Sequence, residues 1–199
     1  MAKNMQPVLK RCRTLGVSPA TMGYAKTSKK NPGGQRRTKK SEYALQLTEK
    51  QKVKFVYGIQ EKQFHNYYEK ASRAEGNTGE VLLTLIERRL DNVVYRLGFA
   101  NSRRQARQLV NHGHFTVNGN RVNIPSYQIK TGDVVAVSEK SVSNGFFKKL
   151  KEDDAFVAAP KWLDRDKNTM SGKIVAMPTR ADIDFEIAVH LIVELYSKN

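Results

Sequence analysis

Apolar positions recur along the chain with helical spacing from Ser41 onward. Ser41 is placed to cap a first helix, with Glu42 near its positive end, running through Tyr43, Leu47 and Phe55 to Gly58. A second helix is predicted from about Gln60 to Glu75, with Phe64, Tyr67, Tyr68 and Ala71 on one stripe. That aromatic stripe reads as core rather than as a base-stacking platform. A third follows Thr78, with Val81, Leu82, Leu85 and Ile86 on one face. A short fourth follows Asp91 and ends at Gly98.

The pattern then changes character. Ser102-Arg103-Arg104-Gln105 is a capping-box pattern, in which the Ser oxygen takes the Gln105 amide and the Gln side chain reaches back. This helix extends to about His112 and stops at Gly113. Arg103, Arg104 and Arg107 share a face by their spacings, apart from an apolar face of Ala106, Leu109 and Val110. Phe115–Val117 alternates into Asn118-Gly119, a strong hairpin signal because both turn residues tolerate positive φ. Val134–Val137 reads as a further strand, Phe146–Glu152 as a helix, and Gly172–Met177 as a strand stopped by Pro178. Trp162-Leu163 is expected to anchor to the sheet. Residues 185–196 fit both a helix and an alternating strand; a helix packing back on the early helices is the favoured reading.

Composition adds a partner to this picture. Among 199 residues, 35 Lys and Arg against 19 Asp and Glu leave a net charge of +16. Such a surplus points to a polyanion. It is unevenly placed, for residues 1–75 hold 17 basic and 5 acidic side chains. Residues 1–40, rich in Gly, Pro and basic residues, read as an irregular arm laid on phosphates. A single cysteine, Cys12, permits no internal disulfide and no cysteine-rich zinc site, and His65, His112, His114 and His190 lack metal-ligand spacing. With no signal-peptide pattern and no run of 18 apolar residues, the expected location is soluble and intracellular.

The residues also resemble a known family. Arg89–Phe99, Ser102–His114, Val117-Asn118-Gly119 and Val122–Tyr127 resemble bacterial small-subunit ribosomal protein S4, as do Ser41–Leu47, Glu49–Lys52, Tyr57-Gly58, Glu61–Phe64 and Leu191–Lys198. The resemblance covers nearly the whole chain from Gly34. It implies an α+β fold: a mostly helical first domain with an inserted α+β RNA-binding domain, built of a capped basic helix and a small antiparallel sheet. The expected division is an arm over 1–41, a discontinuous helical domain over 42–88 and 186–199, and the insert over 89–185. It implies a structural protein of the small ribosomal subunit, cytoplasmic and not an enzyme. Its role would be to bind the 5′ domain of small-subunit rRNA, nucleate assembly of the subunit body and contribute to translational accuracy. Neighbouring small-subunit ribosomal proteins five and twelve, and mRNA near its entry path, are the implied further partners. Many members hold zinc on four arm cysteines. Here the first pair's positions are Leu9 and Cys12, and Met22–Pro32 has no Cys, so no cofactor is expected.

Double-helical RNA is read by backbone geometry and junction shape, so cations should meet phosphates, about 8–10 of them for this charge. The candidate RNA-binding residues are Lys10, Arg11, Arg13, Arg36, Arg37, Lys39 and Lys40 in the arm, Lys50, Lys52 and Lys54 on the first long helix, and Arg103, Arg104, Arg107, His112 and His114 in the insert. Two other classes compete. The helix–hairpin module is also appended to RNA-modifying enzymes and some tRNA synthetases, but no nucleotide-cradling loop or defensible acid–base pair stands elsewhere; Asp153-Asp154 and Asp164/Asp166 read as solvated surface. A DNA-binding regulator could use a capped Arg-rich helix, but the chain shows no dimerising helix, and the hairpin follows directly.

Overall fold

The structure is a computed structural model that describes residues 7–25, 41–152 and 158–198. Its contacts divide the chain into two compact units, one of Met1–Leu82 with Ile183–Asn199, the other of Leu83–Asp182.

The first unit is helical. It opens on α1, Val8–Leu15, which ends on Gly16 in the left-handed conformation (φ 67°). A 3-10 turn follows over Pro19–Met22, with Ser18 Oγ accepting from the Ala20 amide. The sequence reading left this stretch irregular. What orders it is the burial of Cys12, Leu15, Val17 and Met22, apolar positions that are spread among charged residues. α2 spans Glu42–Tyr57 and is capped by Ser41, whose Oγ accepts from the Ala44 amide at 3.3 Å. α3 spans Glu61–Arg73 and begins the aromatic stripe, in which Phe64 and Tyr67 are buried. The tail forms a helix, and it packs on α2. It pairs Ile192 and Leu195 in the core with Tyr196 stacked on Tyr68, ring centroids 4.7 Å apart. Fully buried Val53, Phe64, Ala71, Leu82 and Ile192 make this unit's core. α4, Thr78–Glu87, leads out of it.

The second unit shares one hydrophobic core between helices and a single antiparallel sheet. α5 spans Leu90–Arg96 and α6 Arg103–Asn111, and the two pack on each other. Five antiparallel strands follow: β1 Phe115–Val117, β2 Asn120–Arg121, β3 Val134–Val137, β4 Leu163–Asp166 and β5 Ser171–Ile174, ordered β2-β1-β3-β5-β4. Two further helices, α7 Glu139–Val142 and α8 Gly145–Glu152, lie between β3 and β4, and α9, Val189–Ser197, is the tail helix. The Asn118-Gly119 turn has φ values of 50° and 82°, which is the mirror-image turn the hairpin needs. Thr116 faces Arg121 across it. Phe99, Phe115 and Phe147 share the core with Val93, Leu97, Val110, Val135 and Ile174. Trp162 is buried at the start of β4, as expected, and Gly172 lies so close to the Leu97 side chain that a Cβ there would collide with it.

Candidate nucleic-acid interface

α6 begins as the capping motif requires, with one difference. Ser102 Oγ accepts the Gln105 amide at 3.3 Å, but Gln105 Oε1 accepts from the Asn101 amide at 2.9 Å, one residue further back than a capping box. Apolar Ala106 and Val110 turn inward. The arginines do not present one shared face to solvent. Arg103 is buried; its Nε donates to Asn92 Oδ1 at 2.9 Å and its guanidinium lies 4.5 Å from the centre of the Tyr95 ring. Arg107 donates from Nε to Asp91 Oδ2 at 2.8 Å, and its Nη2 lies 2.7 Å from the same oxygen. Arg104 is half-exposed and makes no ion pair among the described residues.

The partners of these arginines form a buried polar network. Asp91 also receives Arg89 through two bonds, Nε to Oδ1 at 3.0 Å and Nη2 to Oδ2 at 2.8 Å. Asn92 Nδ2 donates to the Glu87 carboxylate at 2.6 Å and to the Glu87 carbonyl at 2.9 Å. Arg96 closes on Glu87 at 2.9 Å. Glu87, Arg89, Asp91 and Asn92 are all nearly inaccessible. Charges buried this deeply hold geometry rather than a ligand, because removing one partner strands the other in low dielectric. The network therefore fixes α6 on α5. Arg103 belongs to that framework, and about a fifth of Arg107 is open to solvent.

The lysines of α2 also have partners within the protein. Lys50 Nζ lies 2.9 Å from Glu61, Lys54 bonds the other oxygen of the same carboxylate, and Lys52 bonds Glu49 at 2.6 Å. Their spacing along α2 turns Lys50 and Lys54 toward the first residue of α3. Burial pushes the Glu61 carboxyl up, but hydrogen bonds from Lys54, Tyr196 and Lys50 outweigh it and hold the group down at about 2. Burial, and then the bond to Glu61, pushes the Tyr196 hydroxyl well up. Glu49 also accepts the Ala188 amide at 3.1 Å, so the cluster ties α2 to both α3 and the approach to α9.

The remaining candidates keep a surface position. Lys10 and Arg13 are exposed on α1, and Arg11 is half-buried there. Arg36, Arg37, Lys39 and Lys40 lie outside the described residues. His112 is the exposed C-cap of α6, and His114 stands just before β1. Sequence reasoning left out Arg121. Its Nε donates to the Gly113 carbonyl at 2.9 Å and its Nη2 to the His112 carbonyl at 3.1 Å, so a cation sits on the negative end of α6. The available signal was Gly113 itself (φ 74°), since the Arg121 guanidinium occupies the place its Cβ would take.

Known proteins resemble this chain in sequence. A model of the S4 domain matches residues 88–135, and a model of the ribosomal protein S4/S9 N-terminal domain matches residues 3–87. The class is thus a ribosomal protein carrying an RNA-binding S4 domain. The small ribosomal subunit protein uS4 of Clostridioides difficile is 60% identical over 190 residues, covering 94% of this chain and 88% of that one. Those of Fusobacterium nucleatum and Caldicellulosiruptor bescii are 50% and 51% identical, each over the full length of both chains. The chain belongs to the uS4 family, whose members are structural ribosomal proteins and not enzymes.

Proposed function

We propose that this protein is a primary rRNA-binding component of the cytoplasmic small ribosomal subunit. It binds the 5′ domain of small-subunit rRNA, helps nucleate the subunit body, and contributes to translational accuracy alongside neighbouring proteins five and twelve, close to the mRNA entry path. The observation that carries the reading is full-length likeness to small-subunit proteins, over a chain of net charge +16. The insert supports it: its internal ion pairs hold α6 rigid, while Arg104, His112, His114 and Arg121 remain on the surface of the helix–hairpin. Pre-organised polar and basic side chains on a rigid element suit recognition of RNA shape through its phosphates. The arm and α1, with Lys10, Arg11, Arg13, Arg36, Arg37, Lys39 and Lys40, supply the rest of the attraction, with the chain divided into an inserted domain over 89–185 and a discontinuous helical domain over 42–88 and 186–199.

Hydroxyl-radical footprinting of the full chain on small-subunit rRNA tests this. Protection concentrated in the 5′ domain is expected. Protection scattered along the rRNA, or confined to another domain, would overturn it.

A further inference from the structure

His112, His114 and Arg121 converge at one end of α6. The two imidazoles stand 6.0 Å apart, edge to face. Arg121 reaches across from β2 and is pinned there by the Gly113 and His112 carbonyls through Nε and Nη2. Its Nη1 has no protein partner among the described residues, and the residue is exposed. Nδ1 of His114 is fixed on the Ser141 hydroxyl at 2.9 Å, and Ser141 in turn bonds Ser138 at 2.7 Å. That leaves Nε2 of His114 as the nitrogen for an outside ligand. The far side of the ring is closed by Phe147, centroid 5.8 Å away.

We propose that these three side chains form a single phosphodiester-binding nook, and that a phosphate seated there draws a proton onto His114, so RNA binding is coupled to proton uptake. The inference rests on the RNA-binding reading above and adds to it a proton count and a third residue. The electrostatics supply the coupling. Burial, then the His112 and Arg121 charges, lowers the His114 pKa in the free protein. The elements packed around it carry other charges: Arg103, Arg104 and Arg107 on α6, Glu139 and Lys140 on α7, and Lys148, Lys149, Lys151 and Glu152 on α8. The two that act on His114 are both repulsive to its protonated form. A phosphate oxygen between the rings and the guanidinium reverses that repulsion, so the imidazolium becomes the favoured state on binding. Other phosphate contacts made by Lys and Arg exchange no proton near neutral pH, because both are already fully charged.

The test is isothermal calorimetry of the full chain with a 5′-domain rRNA transcript near pH 7, in two buffers of unlike ionisation enthalpy. The difference in heat gives the protons exchanged. Net uptake is expected, with affinity falling as pH rises from 6 to 8, at most about tenfold per pH unit for each proton taken up. His114→Asn should abolish the uptake, with circular dichroism showing the fold intact. If that variant does not fold, Arg121→Ala, at an exposed position, should reduce the uptake, because the phosphate loses the guanidinium that seats it beside His114. Arg121→Ala should lower the salt slope of binding by about one unit. RNA binding with no proton exchange overturns the nook and leaves the RNA-binding reading standing, as does uptake that persists in the His114 variant. Failure to bind the transcript at all overturns both.

Discussion

Arg107 and Asp91 meet at 2.7 Å, and the same carboxylate also holds Arg89 in a two-bond grip. One buried acid thus fastens α6, the start of α5 and the segment before it. The basic helix is rigid because part of its charge is turned inward. The charge that remains outward is thereby held in place.

Asp91→Asn should be severely destabilising. It leaves two guanidiniums beside a neutral amide in a site almost closed to water, and breaking a buried pair in this way costs about 3–5 kcal/mol. Urea unfolding should show the loss as a lower midpoint. A loss below 1 kcal/mol would mean that the network is solvated.

Arg103 and Arg104 are neighbours with opposite expectations. Arg103→Ala should cost about 1–3 kcal/mol of stability, because it strands Asn92 and uncovers Tyr95. Arg104→Ala should leave stability within about 0.5 kcal/mol and lower the salt slope of RNA binding by about one unit. Thermal melts with filter binding at several salt concentrations separate the two. Equal effects on both measurements would remove the distinction.

Adjacent residues of one helix diverge for a reason that lies outside the helix. Helical spacing legibly groups Arg103 with Arg107. It does not show that Asp91 and Asn92, more than ten positions upstream, stand opposite them. That pairing exists only once α5 packs on α6. Signals local to the backbone were legible: the Ser41 and Ser102 caps, the Asn118-Gly119 turn and the aromatic stripe of α3. The ambiguous tail became a helix because α2 offers a partner face, which alternation alone cannot reveal. α1 was missed because its few apolar residues sit among charges and flanking glycines. β4 was missed because Leu163-Asp164-Arg165-Asp166 is too polar to read as a strand; only its pairing with β5 makes it one.

Glu61 should carry an acid-sensitive part of the stability. Its folded pKa of about 2 lies below the ordinary 4.5, so the contribution is complete above about pH 4.5 and is lost as pH falls toward 2. The carboxylate is half-exposed, so screening reduces the worth of the cluster to about 1 kcal/mol. Glu61→Gln should lower stability by about that amount at pH 7 and flatten the change between pH 4.5 and 2. Urea midpoints across that range check it; an unchanged acid limb would mean that the lysine cluster contributes nothing.

The most direct measurement is the salt dependence of affinity for a 5′-domain rRNA transcript, with duplex DNA as competitor. About 8–10 phosphate contacts predict a slope of log K against log salt of roughly −7 to −9, with duplex DNA a poor competitor. A slope near zero, or displacement by duplex DNA as effective as by the rRNA itself, would contradict the account.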